Sequence, residues 1–223
     1  MSQHPALNAH EARLLGVLFE KETTTPEQYP LSLNGLTLGA NQKSNRDPET
    51  DWSEAEVYVG LTGLIQKSLA GKVTPAGSRV EKFRHNARET LGLDDRRLAL
   101  LAELLMRGPQ TAAELRTRAE RMAPQGNADA VLEALASLAQ AGLARRIGAG
   151  AGSRAERWMQ LLAPGLHATA SPAGTAAVAG APSATGALRS SEPRPPSAFA
   201  ALEERIARLE ARIAKLEESL GGA

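Results

Sequence analysis

The sequence contains no cysteine, which excludes a disulfide scaffold, a thiolate zinc site, an iron–sulfur cluster and a cysteine nucleophile. Aromatic residues make up only 3%, so the core has to be built from aliphatic side chains. The longest mostly apolar run, residues 98–106, contains Glu103 and has about half the length that a membrane helix needs. The first residues lack the basic and apolar regions of a secretory signal. We therefore expect a cytoplasmic protein without a membrane span.

Neither sign of charge is in excess, since 26 Lys and Arg face 25 Asp and Glu for a net charge of +1. Any nucleic-acid surface must therefore be a local patch. The histidines (His4, His10, His85 and His167) are isolated from one another and from carboxylate clusters, so we expect no metal. The glycine-rich run 148–152 leads into a predicted strand, whereas a dinucleotide site leads into a helix. We expect no metal, no cofactor and no enzymatic activity.

The composition changes sharply near residue 163. Of the 36 residues 163–198, 29 are Ala, Pro, Gly, Ser or Thr. Such a stretch buries too little apolar surface to offset the entropy of ordering it, so we predict a disordered linker. A helical tail with heptad spacing follows over 199–220, and the folded part lies before the linker.

The folded part contains a diverged internal repeat. Residues 57–69 correspond to 131–143 at an offset of 74, and residues 77–83 correspond to 152–158 at an offset of 75. A unit of this length is too long for a solenoid repeat and indicates a duplicated small domain. We therefore predict two domains, at residues 1–90 and 91–162, which are called the first and second copy below.

Each copy has the periodicity of three helices followed by a β-hairpin. Asn8 with Glu11, and Ser53 with Glu56, have the spacing of capping boxes at two helix starts. The first copy is predicted to have helices at 11–22, 32–40 and 53–70 and strands at 72–74 and 79–84. The second is predicted to have helices at 96–107, 111–122 and 128–141 and strands near 143–147 and 154–161. This order predicts a mainly α fold with small β-hairpins (α+β), arranged as two tandem winged helix-turn-helix domains.

Three segments resemble the YceH family of uncharacterised bacterial proteins. They are residues 7–16 (LNAHEARLLG), 29–34 (YPLSLN) and above all 41–48 (NQKSNRDP). The resemblance covers residues 6–162 and implies two tandem winged-helix domains, in agreement with the repeat. It implies no established biochemical activity.

Winged helices suggest nucleic-acid binding, but the helices that normally enter the major groove are poorly suited to it. Segment 51–56, at the start of the third helix, carries three carboxylates, and helix 128–141 contains no Lys or Arg. Positive charge lies instead in the predicted hairpins. The candidates for contacts to phosphates are Lys72, Arg79, Lys82, Arg84, Arg145, Arg146, Arg154 and Arg157. The alternative is a solvated strand face, with Glu81 and Glu156 as cross-strand partners.

The segment 41–48, between the second and third predicted helices, is dense in hydrogen-bonding side chains. Its candidates for contacts to phosphates, base edges or a partner protein are Gln42, Lys43, Asn45 and Arg46. The alternative is structural, because Asn45 and Asp47 have the chemistry of Asx-turns that satisfy the ends of both helices. The second copy lacks this segment.

The tail predicts a parallel homodimer. Apolar residues are spaced three and four apart over three heptads, with Ile at position a and Leu at d, which favours two parallel strands. The seam consists of Phe199, Leu202, Ile206, Leu209, Ile213, Leu216 and Leu220. The alternative is a lone amphipathic helix that docks on its own domains.

Two functions follow from this sequence. The first is non-catalytic DNA binding, in transcription or chromosome organisation, through the hairpins and the 41–48 segment. The second is a protein–protein interaction scaffold without direct DNA contact, which the acidic starts of the third helices favour.

Overall fold

The computed structural model describes residues 4–74, 80–148 and 156–167. Within those ranges the chain forms seven α-helices and two small antiparallel sheets, which confirms the expected mixture of helices and short hairpins. The helices are α1 (Ala9–Thr24), α2 (Leu33–Ala40), α3 (Glu54–Gln66), α4 (Ala87–Leu91), α5 (Asp95–Arg107), α6 (Ala112–Ala119) and α7 (Ala128–Gln140). The strands are β1 (Leu31–Ser32), β2 (Ala70–Val73), β3 (Lys82–His85), β4 (Ala144–Ile147) and β5 (Arg157–Gln160).

The order of elements in the first copy recurs in the second. Helices α1, α2 and α3 precede the pair β2–β3, and helices α5, α6 and α7 precede the pair β4–β5. In the first sheet β3 lies between β1 and β2. A single bridge between Gln110 and Trp158 occupies the position of β1 in the second copy, because Gln110 precedes α6 as β1 precedes α2.

Local side chains determine where two of the helices begin. The Asn8 side chain accepts the backbone N–H of Glu11 at 2.9 Å, and the Glu11 carboxylate accepts the backbone N–H of Asn8 at 2.8 Å. Ser53 and Glu56 exchange the same two hydrogen bonds at the start of α3. Both predicted capping boxes are confirmed, because each depends only on residues three apart in the chain.

Helix α1 is buried on all sides, although its apolar spacing predicts one buried stripe. Every residue from Glu11 to Glu20 is buried. The reason is that α1 packs against α2 and α3 of its own copy and also against α5 of the second copy. The described core is therefore contiguous across both copies.

Gly16 allows α1 and α5 to approach closely. A Cβ atom at this position would lie 2.6 Å from Cγ of Met106 and 3.2 Å from the backbone oxygen of Ala102. Both separations are shorter than ordinary contacts, so a side chain at position 16 would push the two helices apart. The contact joins residues from different copies, and for that reason no local pattern indicates it.

Some boundaries differ from the predicted ones. The short helix α4 was not expected, and it spans the predicted domain boundary between residues 90 and 91. Helix α6 ends at Ala119 rather than at residue 122. Pro124 follows closely, and the backbone before a proline disfavours the helical conformation.

Residues 163–167, at the start of the predicted linker, pack against the folded part. Ala163 is buried, and its N–H donates to Oε1 of Gln160 at 2.6 Å. The rest of the linker and the predicted coiled coil over 199–220 lie outside the described residues. No helix in the described ranges is long and apolar enough to cross a membrane.

Candidate functional site

Arg46, a candidate for partner contacts, is buried. Its Nη2 atom lies 2.5 Å from a carboxylate oxygen of Glu20, and its Nε donates to the carbonyl of Gly39 at 3.0 Å. The same guanidinium donates to Oε1 of Gln42 at 2.9 Å and to the carbonyl of Asn45 at 2.9 Å. The Arg46 side chain therefore lies in the interior, where it holds the segment between α2 and α3.

The 41–48 segment is also tied to the second copy. The backbone N–H of Asp47 donates to the carbonyl of Met106 at 2.9 Å, and Arg107 donates to Oδ1 of Asn45 at 2.7 Å. Asn45 itself has a φ of 60°, the left-handed conformation that Asn tolerates better than most residues. Of the four candidates in this segment, Lys43 is the one that remains exposed.

Glu20 connects the two copies through buried charge. Its carboxylate pairs with Arg46 of the first copy and, at 2.5 Å, with Arg121 of the second. Arg121 also pairs with the buried Glu103 at 2.7 Å. Burial raises the pKa of Glu20, but the hydrogen bonds and positive charges of Arg46 and Arg121 outweigh it, so the pKa is lowered overall.

The candidates in the first hairpin differ in their surroundings. Lys72 pairs with Glu81 at 2.5 Å, as the solvated-face alternative predicts, and both side chains remain substantially exposed. Lys82 and Arg84 alternate with the buried Phe83 and His85, which places them on the outer surface of β3. Arg79 lies outside the described residues.

The second hairpin is similar. Arg146 pairs with the exposed Glu156 at 3.0 Å, and the exposed Arg145 donates from Nε to the sulfur of Met159. Arg157 is half-buried and donates to the carbonyl of Pro109 at 3.3 Å. Arg154 lies outside the described residues. Of the hairpin candidates, Arg157 lies near the 41–48 segment, since it lines one cleft together with Asp47 and Pro48.

The outer surface of α3 combines acidic and apolar side chains. Glu54 and Glu56 are exposed in its first turn, and Asp51 is exposed just before it. Tyr58 and Val59 follow, with 46% and 70% of their surfaces exposed. We call these five residues the α3 face. The sequence pattern indicated its carboxylates but not Tyr58 and Val59, whose signal is that they fall outside the buried stripe of Val57, Leu61 and Leu64.

A groove of about 330 Å³ lies beside the α3 face. Tyr58 and Glu54 form part of its lining, together with Leu33 from α2 and Phe83 from β3. Its remaining lining residues are Ser32, Asn34, Val80 and Glu81. An apolar groove with carboxylates along it is suited to a ligand that carries both apolar and basic groups.

Helix α7, the counterpart of α3, provides an internal comparison. It exposes Leu132 by 47%, and it also exposes Asp129 and Glu133. Of the five large hydrophobic residues that are exposed within the described ranges, Leu132 is the one from the second copy; the others are Leu38, Tyr58, Val59 and Val80. Exposed apolar surface is therefore concentrated in the first copy.

His85 is a buried histidine with structural partners. Its Nδ1 accepts the backbone N–H of Ala87 at 3.2 Å, so Nε2 carries the proton that faces Glu22 at 2.9 Å. Burial raises the pKa of Glu22, but the hydrogen bonds from His85 and Arg88 outweigh it and lower the pKa overall. Within the described ranges, no three His, Asp or Glu side chains come together in a group that could hold a metal ion.

The chain was compared with known protein families and with known proteins, and the matches described here agree with one another. Residues 7–153 match a family described as "Protein of unknown function, DUF480". A UPF0502 protein of Geotalea uraniireducens is 50% identical over 155 residues, which are 69% of this chain and 70% of that one. A UPF0502 protein of Shewanella loihica is 46% identical over 162 residues, covering 70% and 75% of the two chains. One of Pelobacter propionicus is 49% identical over 158 residues, covering 70% and 72%.

Proposed function

Because this chain belongs to the DUF480 family, whose description assigns no activity, we propose its function from the geometry: it is a non-catalytic protein that binds a partner protein through the α3 face. Membership confirms the resemblance to a family of uncharacterised bacterial proteins that residues 7–16, 29–34 and 41–48 indicated.

We interpret the architecture as two tandem winged-helix domains. The repeated order of three helices and a hairpin supports this interpretation, as does the position of β1 beside β3 in the first sheet. In a winged helix the third helix is the usual contact element. The third helix of the first copy is α3, so the α3 face lies where a winged helix normally meets its target.

The composition of the α3 face is the observation that carries the proposal. Carboxylates at positions 51, 54 and 56 would repel a phosphate backbone, and among the described residues none of them pairs with a cation. Tyr58 and Val59 expose apolar surface that gains free energy when a protein partner covers it. Tyrosine is also among the residues that dominate the binding energy of protein interfaces. The chemistry that fits is a basic segment with apolar anchors.

Site-specific photo-crosslinking in cells that produce the protein naturally tests this proposal. A photoreactive residue at position 59 should give a discrete adduct, and the partner peptide in the adduct should be basic. The exposed position 132 on α7, the equivalent helix of the second copy, should give no such adduct. The double variant Asp51→Lys/Glu54→Lys leaves the Ser53–Glu56 capping box intact and should abolish the adduct. Equal adducts at positions 59 and 132, or an adduct that is insensitive to charge reversal, would contradict the proposal.

DNA binding is the second candidate, and a specific observation favours it. Lys43, Arg84 and Arg116 are exposed and have no hydrogen bond or ion pair within the described parts of the chain. A titration with random duplex DNA at increasing salt decides between the candidates. If DNA is the target, log affinity falls linearly with log salt, and Arg79→Ala with Arg154→Ala flattens the slope by about one unit for each phosphate that the protein no longer neutralises. Micromolar protein that leaves DNA unshifted at about 50 mM salt rules this candidate out.

A further inference from the structure

A cleft of about 380 Å³ lies where the 41–48 segment meets the second copy. Its polar lining comes from Arg107 at the end of α5, Arg157 at the start of β5, His167 and Asp47. The cleft is separate from the α3 face and from the groove beside it, and it includes Arg157, one of the hairpin candidates for contacts to phosphates.

The two arginines have few partners in the folded chain. Arg157 donates to the carbonyl of Pro109 at 3.3 Å, and its Nε is buried without a partner in the described residues. Arg107 donates to Asn45, and its Nε lies 4.0 Å from the carboxylate of Glu103. A guanidinium carries five N–H donors, and buried donors in proteins are almost always satisfied. The terminal amino groups of the two guanidiniums therefore retain N–H donors beyond those that these hydrogen bonds use.

His167 forms a close-packed wall of the cleft. Gly108 has a φ of +75°, and a Cβ atom there would lie 2.7 Å from the imidazole ring of His167. The ring nitrogen Nε2 lies 2.7 Å from the carbonyl of Asp47, while Nδ1 is buried without a partner in the described residues. The absence of a side chain at position 108 is what lets the ring reach this position.

Positive charge is in excess around Arg107. Burial lowers its pKa, and the nearby Arg118, Arg121 and Arg46 lower it further, while Glu103 raises it. The exposed carboxylate of Asp47 also lines the cleft and balances part of this charge. Burial lowers the pKa of Arg13 and of His167, and Asp47 opposes both effects. An anion in the cleft would reduce the repulsion among these arginines.

We propose that this cleft binds a phosphate group held by the guanidinium groups of Arg107 and Arg157. Guanidinium groups match phosphate in geometry and charge, which makes arginine a common residue at phosphate sites. Pro48, Pro109 and Leu166 complete the lining and offer apolar surface to the organic part of a phosphate ester. The site does not depend on the proposed partner protein, so each proposal can fail without the other.

Thermal unfolding of the full chain with inorganic phosphate tests the site. A ligand at about ten times its dissociation constant should raise the melting temperature by about 3–6 °C for a chain of this size. Sodium chloride at the same ionic strength should not. Isothermal calorimetry with inorganic phosphate should give saturable binding with one site per chain.

Substitutions assign the binding to the cleft. Arg157→Gln should abolish both the thermal shift and the calorimetric signal, and Arg107→Gln should do the same. Arg116→Gln, an exposed arginine on α6, should leave both unchanged. Far-UV circular dichroism without phosphate establishes that each variant is folded. Absence of any shift beyond that of chloride, or equal shifts in wild type and Arg157→Gln, would overturn the proposal.

A competition experiment distinguishes a free phosphate ester from the phosphate of a nucleic acid. A short oligothymidylate is added to the protein in the presence of inorganic phosphate, and displacement of the bound phosphate is measured. Displacement that is lost in Arg157→Gln assigns the site to nucleic-acid phosphates. Phosphate binding without displacement assigns it to a free small molecule. Both outcomes support a phosphate site in the cleft.

Discussion

Glu20 and Arg46 lie 2.5 Å apart with both side chains buried, although 26 residues separate them in the chain. Glu20 belongs to α1, whereas Arg46 comes from the segment between α2 and α3. The same carboxylate also pairs with Arg121 of the second copy, so it joins three separate parts of the chain. Because of this contact, a segment whose sequence resembles a surface binding loop has its arginine in the interior.

Breaking the pair should destabilise the protein strongly. Arg46→Ala leaves Glu20 with only its Arg121 partner, and removing one member of a buried ion pair typically costs about 3–5 kcal/mol. Lys43→Ala, in the same segment but exposed, should change the free energy of unfolding by less than about 0.5 kcal/mol. Urea denaturation of both variants measures the difference. Equal stabilities of the two variants would show that Arg46 is not an interior residue in solution.

The pH dependence of stability should reflect Glu20. Its pKa is lowered in the folded protein from the ordinary 4.5, so the folded state holds the ionised form more strongly than the unfolded state does. The resulting stability is present above that ordinary value and is lost as the pH falls through the folded pKa. Urea denaturation at a series of pH values should show that the free energy of unfolding falls less at acid pH for Glu20→Gln than for wild type. An unchanged slope would argue against a buried ionised carboxylate.

Gly16 should not tolerate a side chain. Alanine normally stabilises a helix by about 1 kcal/mol relative to glycine, but here its Cβ would meet Met106 and the backbone of Ala102. Gly16→Ala should therefore lower the melting temperature, and Gly16→Val should lower it further. Gly35→Ala in α2 is the matched control, because its Cβ would have ordinary contacts at 3.4 Å and beyond, and it should stabilise. A stabilising Gly16→Ala would mean that α1 and α5 are not in close contact.

How much of this fold the sequence predicts depends on the range of the interactions involved. The capping boxes at Asn8 and Ser53 were predicted correctly because each is complete within four residues. The burial of Arg46 was not predicted, since its partner Glu20 is 26 residues away in the chain. The contact at Gly16 was not predicted, since it depends on packing between the copies. For the α3 face, the spacing identified the acidic start of the helix. It did not identify Tyr58 and Val59, because β-branched and aromatic residues inside a helix are usually assigned to the core.

The tail carries a prediction of its own. If its seam from residue 199 to 220 forms a parallel coiled coil, the full chain should sediment as a dimer at tens of micromolar and a truncation ending at residue 163 should be a monomer. Three heptads are short, so the association should depend on concentration. If the full chain and the truncation are both monomers, or are both dimers, the tail is not the dimerisation element.

The most direct test of the α3 face as a protein-binding surface is the binding of a basic amphipathic peptide. Fluorescence anisotropy with a labelled helical peptide that carries Lys and Leu on one face measures its affinity. Tyr58→Ser/Val59→Ser should weaken binding about tenfold or more, as loss of an interface anchor does. Asp51→Lys/Glu54→Lys should weaken it further at low salt. The matched variants of α7, Leu132→Ser and Asp129→Lys/Glu133→Lys, should bind as wild type does. Equal affinity for all of these variants, or for a control peptide in which every Lys is replaced by Glu, would contradict the claim that this surface recognises a basic, apolar-anchored partner.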